Sequence, residues 1–276
     1  MKNLYIAFLL VLFTNVLFAA TASEGKTGLS FLKVGVDARA VGMGEAYTAL
    51  SEDASATFWN PAGLVNAAHS NVLFNHNAWI EGINGEFAAI AFVKIKSAWG
   101  FHIRSFNIGD IQVRGDSPTA EPLDNTSAHY LSAGLSYARR LNPSLNFGVT
   151  LKYLFEKIYV ESATGYAVDL GLTYRLPFPN MRLGAVIQNL GKMNTLRAEE
   201  TKLPVIGRVG LLYRLPVTSN IFSINLAADA VKPSEENIRF HLGGELVLWK
   251  QIAIRSGFLQ GYDARDFSFG VGVMRS

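Results

Sequence analysis

Side chains able to do chemistry are plentiful in this sequence, but few stand at the spacing that chemistry requires. The five histidines, His69, His76, His102, His129 and His241, are too scattered to build a metal-ligand set. Gly42-Met43-Gly44 has no strand before it and no third glycine, so it is not a dinucleotide loop. Neither a Gly-x-Ser-x-Gly nucleophile turn nor a His-Glu-x-x-His zinc helix occurs. There are no cysteines, which removes disulfides, thiolate zinc sites, cysteine nucleophiles and an acylated lipoprotein cysteine. Asn125-Thr126-Ser127 matches a glycosylation sequon and reads as a chance match. The expectation is a protein that is not an enzyme and needs no cofactor and no metal.

What recurs instead is charge set into alternating segments. Leu145, Phe147, Val149, Leu151, Tyr153 and Phe155 fall on one face of a segment whose other face carries Asn146, Thr150, Lys152 and Glu156. Tyr166, Val168, Leu170, Leu172 and Tyr174 oppose Gly165, Ala167, Asp169, Gly171, Thr173 and Arg175 in the same way. Period two over this length is the signature of a β-strand. Similar segments put Arg104, Arg182, Arg208, Arg214, Asp229, Arg239, His241, Glu245 and Arg255 on the polar face, and about twelve strands can be placed beyond Ser70. The stretches near 71–79 and 84–94 alternate poorly.

A soluble sandwich alternates too, so periodicity leaves that class standing. Two observations favour a membrane barrel. Tyr166 and Tyr174 bracket an apolar stripe spanning roughly 20 Å of membrane normal, at about 3.3 Å per residue and a tilt near 40°. Aromatic residues at both ends of an outward face fit interfacial girdles. The connections are also sorted: Lys94-Ile95-Lys96, Asn142-Pro143, Pro177 to Asn180, Pro216 to Ser219 and Trp249-Lys250-Gln251 read as tight turns at every second junction. Longer loops fall between them, the largest at Asn107 to Thr126 and Leu190 to Lys202, with Lys232 to Asn237 and Gln260 to Arg265 smaller. Short turns at one rim and long loops at the other characterise outer-membrane barrels.

The expected fold is therefore all-β: a transmembrane antiparallel up-and-down barrel of about 12 to 14 strands over residues 71–276, with outer-membrane lipid around it. Its charged face must then meet water, other charges or a plug, because hydrocarbon would cost a few kcal/mol per charge near the midplane. Two readings stay open: an ion-pair ladder fixing strand register, or a polar conduit contacting a plug.

Residues 23–70 are too short and too glycine-rich to bury a core of their own, so they need the lumen. Ala40, Val41, Met43, Ala46, Tyr47 and Leu50 recur at roughly helical spacing, interrupted by Gly42 and Gly44, which predicts short helical turns. Asn60-Pro61 predicts a chain reversal, with Gly63 supplying φ > 0. Phe58, Trp59 and Leu64 should pack on the barrel wall. Asp37, Arg39, Glu45, Glu52 and Asp53 are available to pair with its charges.

Residues 1–22 read as an export signal: Lys2, an apolar run from Leu4 to Phe13, and small residues at Ala20 and Ala22, with cleavage expected after Ala22. Of 276 residues, 49% are apolar, and the formal charge of +3 includes no basic run that would suggest nucleic acid.

Gly42-Met43-Gly44-Glu45-Ala46, Glu52-Asp53-Ala54-Ser55-Ala56 and Phe58-Trp59-Asn60-Pro61-Ala62-Gly63-Leu64 together resemble the N-terminal plug of FadL-like outer-membrane proteins. Within that superfamily the chain is similar to the PorV/PorQ branch and to related spirochaete-type barrels. Tyr166 to Leu172, Gln188-Asn189-Leu190-Gly191, Leu203-Pro204, Arg208-Val209-Gly210 and Tyr213 extend the likeness over most of the mature chain. The resemblance implies a hatch motif of Gly42, Gly44, Asp53, Asn60, Pro61, Ala62 and Gly63. The PorV/PorQ likeness implies partnership with secretion-system proteins or exported cargo of the type IX pathway, which is the favoured role; the wider FadL likeness implies, as an alternative, uptake of a small hydrophobic ligand, and a structural barrel is the other alternative. Such relatives usually have 14 strands and a C-terminal aromatic residue, whereas this sequence closes on Val273-Met274-Arg275-Ser276 after about twelve.

Overall fold

The computed structural model describes residues 27–79, 82–115, 120–196, 199–217, 221–263 and 265–274. The export signal expected over 1–22 lies outside the described residues. Twelve strands form one antiparallel sheet in strict chain order. They are β1 (Asn71–Ala78), β2 (Asn84–Val93), β3 (Ser97–Val113), β4 (Asp124–Arg140), β5 (Leu145–Ile158), β6 (Glu161–Arg175), β7 (Met181–Met193), β10 (Ile206–Arg214), β11 (Phe222–Pro233), β12 (Arg239–Leu248), β13 (Ile252–Gln260) and β14 (Phe267–Val273). A small hairpin, β8 (Thr195–Leu196) with β9 (Glu199–Glu200), sits in the loop after β7. The sheet curls into the predicted barrel around residues 27–70. Among the described residues, no ladder joins β1 to β14.

The outer face is apolar and bare: Phe74, Phe92, Trp99, Leu151, Tyr166, Phe240 and Leu242 are exposed, and on β14 Phe269 and Val271 reach 79% and 77%. A soluble sandwich would not leave so continuous an apolar surface in water. The alternate residues point in, with His102, Arg104, Lys152, Asp169, His241 and Glu245 all buried. Tyr153 and Tyr166, register partners and both exposed, mark one aromatic border of the wall. Phe178 and Trp249 mark the other, on the tight turns.

Several boundaries differ from the sequence expectation. The large loop is shorter than 107–126, because β3 and β4 pair out to Val113 and Asp124 across a bulge between Ile108 and Ile111. That bulge, with Asp110 at φ 53, breaks the alternation that would have revealed the strands. The loop after β7 is partly the β8–β9 hairpin. Loop sorting is also imperfect: Tyr159-Val160 is a tight turn on the long-loop rim. β2 alternates poorly because inward Phe87, Ala89 and Ala91 face an apolar hatch, while outward Glu86 pairs with His76 of β1.

A hatch fastened through the whole lumen

The segment before β1 is built from fragments. A 3₁₀ turn (Ser30–Lys33), a short helix (Ala38–Gly42), a second (Ala56–Trp59) and a 3₁₀ segment (Pro61–Asn66) are joined by turns. It runs the length of the lumen. At the long-loop rim Thr27 bridges Lys202, and Lys33 pairs with Glu236 at 2.9 Å. At the short-turn rim Asn146 Nδ2 donates to Asn66 at 3.0 Å and Arg140 donates to the Val65 carbonyl, also at 3.0 Å.

Two apolar clusters fill the space. Leu29, Phe31 and Leu32 pack with Phe106, Leu154, Ala167, Met193 and Leu203 near the long loops. Met43, Tyr47, Leu50, Phe58, Trp59 and Leu64 form the larger one below, with Phe87, Ala89 and Ala91 of the wall. Arg104 joins them: its guanidinium lies 5.3 Å from the Phe31 ring and 5.2 Å from the Phe58 ring. Cations held over ring faces are favoured most where water is excluded. Arg208 stands 5.0 Å over Trp59 and donates to Gln188.

Ion pairs tie hatch to wall at distinct points. Glu245 accepts from Arg39 at 2.9 and 2.7 Å and from Arg255 at 2.8 Å. Arg265, in the loop before β14, reaches Glu45 at 2.7 Å. Burial would push the Glu45 carboxyl up, but Arg265 and Arg208 more than offset it and hold it below the ordinary carboxylate range. Glu52 takes Arg182 and Arg214. Asp229 accepts the backbone N–H groups of Tyr47 and Thr48 at 3.1 and 2.9 Å.

The remaining lumenal candidates lie elsewhere. Lys152 and Asp169 pair within the wall at 2.6 Å. Arg239 serves the rim, pairing with Glu236 and stacking 4.1 Å over Tyr262. Glu156 is buried with Oε2 unpartnered, and Arg175 is exposed at the end of β6.

In the hatch motif, each residue has a local task. Asp53 accepts from the Ser55 N–H at 2.9 Å and from the Tyr47 hydroxyl at 3.2 Å, ordering the turn before the second helix. Asn60 is extended, as a residue before proline must be, and its Nδ2 donates to the Thr48 and Leu172 carbonyls. Pro61 starts a 3₁₀ segment, where its missing N–H is harmless. Gly63 does not have the expected positive φ. It is glycine because a Cβ would stand 2.1 Å from the Ser51 carbonyl oxygen. Gly44 does need positive φ, at +63°, and donates to Ser268 Oγ at 2.9 Å. Ala62 is buried against Gly148.

Sequence reasoning missed the seat itself. Inward-facing glycines of β5–β7 and β12–β14 meet the hatch: Gly148 at the Pro61 and Ala62 backbone, Gly171 at the Asn60 side chain, Gly184 at Thr48 and Ala49, Gly243 at Met43, Gly257 at Gly44, Gly270 at Gly42. Gly148 and Gly171 are register partners, as are Gly184 with Gly210 and Gly243 with Gly257. Glycine weakens a strand unless something approaches closely, so its recurrence in the inward phase was a readable signal.

Residues 20–174 match the profile of the family described as type IX secretion system protein PorV. The chain belongs to the PorV family. Two UPF0164 proteins of Treponema pallidum (strain Nichols) are similar to it. One is 26% identical over 212 residues, covering 69% of this chain and 49% of the relative. The other is 28% identical over 159 residues, covering 53% and 39%. The chain spans about half the length of the first of these, and less of the second. Among solved structures, this PorV-family barrel is similar to the CymD monoaromatic hydrocarbon channel. The TM-score is 0.63 and the identity 14%, over 88% of this chain and 90% of that one. The Pseudomonas putida toluene transporter TodX superposes at 0.56 with 12% identity, over 82% and 84%. At such identities the likeness establishes the fold alone.

Proposed function

We propose that this PorV-family chain, exported by cleavage after Ala22, is a non-enzymatic outer-membrane barrel that serves type IX-like protein secretion. In this reading it presents its long-loop face to secretion proteins or exported cargo, with the short turns in the periplasm. The observation that carries this is the fastening of the hatch. Glu245, Glu52, Glu45 and Asp229 tie it to the wall from β7 to the loop before β14, and its own Trp59, Tyr47 and Met43 are wholly buried in the lumen. A lumen so filled supports a platform better than a passage.

A second reading, uptake of a small hydrophobic ligand, is favoured by one feature. A cavity of about 530 Å³ opens at the long-loop rim between Gly82, Ile83, Ile108 and Ile111, next to the Phe31 cluster. Deleting the gene in its host separates the readings. Exported cargo should accumulate in the periplasm while uptake of toluene is unchanged; lost uptake with normal secretion would replace the first reading with the second.

A further inference from the structure

At the short-turn rim three arginines meet one carboxylate. Arg175, Arg182 and Arg214, with Asn180, Met181 and Leu212, line a cavity of about 250 Å³. Arg175 and Arg182 are register partners across the β6–β7 ladder. Both fall in the inward phase of their strands, Arg175 two residues beyond buried Thr173 and Arg182 four before buried Val186. Like charges set directly opposite destabilise a strand pair, so a chain that keeps them there needs something to offset the repulsion.

Glu52 of the hatch does part of this. One of its oxygens, Oε2, accepts from Arg182 at 3.4 Å and also from Arg214. Nothing equivalent serves Arg175, whose side chain makes no hydrogen bond or ion pair among the described residues and is exposed into the cavity mouth. Three guanidinium groups against one carboxylate leave two positive charges.

We propose that this cavity is a binding site for a phosphate-class dianion, inorganic phosphate or a phosphomonoester. The choice follows from the charge and the donors. A dianion neutralises the excess that a single carboxylate would halve. Planar guanidinium forks also match the several oxygens of a phosphoryl group, which can be bridged by Arg175 and Arg182 together. The same chemistry could come from solution or from a phosphomonoester lipid headgroup at the periplasmic leaflet.

The test uses the full chain folded into phosphatidylcholine nanodiscs and titrated calorimetrically with inorganic phosphate at pH 7.5 and constant ionic strength. One saturable site is expected. Arg175→Gln should weaken it at least tenfold, Arg175→Lys by a smaller factor, and added chloride should not compete. Repeating the titration in discs containing phosphatidic acid, whose headgroup is a phosphomonoester, distinguishes the sources: weaker apparent phosphate binding there identifies the headgroup, unchanged binding identifies soluble phosphate. The absence of saturable binding to the wild-type chain overturns the site. So does binding unaltered in Arg175→Gln, provided the variant keeps the heat-modifiable gel mobility of a folded barrel.

Discussion

Lys152 Nζ lies 2.6 Å from Asp169 Oδ2, both side chains almost wholly buried in the lumen wall. Asp169 Oδ1 takes the Asn189 N–H at 2.8 Å, Asn189 Oδ1 takes Lys152, and Asn189 Nδ2 closes on the Pro204 carbonyl. Three motifs far apart in sequence, around Asp169, Asn189 and Pro204, meet at one node where β6 and β7 slip register between Val168 and Leu170. Asp169→Ala strands a buried ammonium, and removing one partner of such a pair costs about 3–5 kcal/mol. Lys152→Met with Asp169→Asn should cost clearly less. Urea titrations of folding into lipid would read both; equal losses would mean the pair is not coupled.

The glycine seat predicts a conditional defect. Gly184→Val places side-chain atoms where Thr48 and Ala49 run, since even a Cβ there would come within 2.5 Å of the Thr48 carbonyl oxygen. The hatch should be expelled and become sensitive to protease, while the strands still insert. In a chain lacking residues 27–66 the same substitution should be nearly neutral. A penalty that persisted there would place the fault in the strand.

Lipid contact sets a depth dependence on the outside. Leu151, exposed near the middle of β5, should cost about 2–4 kcal/mol as Leu151→Arg, whereas Phe178→Arg on a turn should cost about 0–1 kcal/mol. Folding free energies in lipid test the contrast, and equal values would contradict the wall assignment.

Hatch seating should depend on pH through Asp37. Burial, and then the nearby Asp53 carboxylate, push its carboxyl up to about 6, and its Oδ2 has no partner, as suits a protonated acid. A raised acid pKa gives stability fully present below the unfolded value near 3.8 and lost as pH rises through 6. The slope in that window is at most about 1.4 kcal/mol per pH unit. Proteolysis of the hatch should therefore be slower at pH 4.5 than at pH 7.5, and Asp37→Asn should flatten the difference. An unchanged pH profile in that variant would assign the effect to another group.

Sidedness is open to a clean labelling experiment, because the chain has no native cysteine. Tyr159→Cys should react with an impermeant maleimide on intact cells and Ser144→Cys only after the outer membrane is breached. Reaction of both from outside would refute the orientation.

The outward face was legible because lipid demands it: Trp99, Phe101 and Ile103 had to be apolar wherever their neighbours folded. Inward residues answer to partners far away in sequence. Arg39 and Glu245 are 206 residues apart, and no local pattern pairs them. Where the inward face meets apolar hatch, as at Phe87 and Ala89, the alternation itself fades. Gly63 was read as a φ > 0 position, but what fixes it is the Ser51 carbonyl, a contact that exists only once the hatch is folded.

The seat also fixes an order of assembly. Gly42 packs on Gly270, which synthesis reaches only after all the strands between them, so this contact of the hatch waits for β14. Contacts this distant in sequence form slowly, and each must wait for the loop between its ends to close. Strands that close round the hatch as they insert would satisfy hatch and wall at once, with that segment the form on which the barrel is shaped.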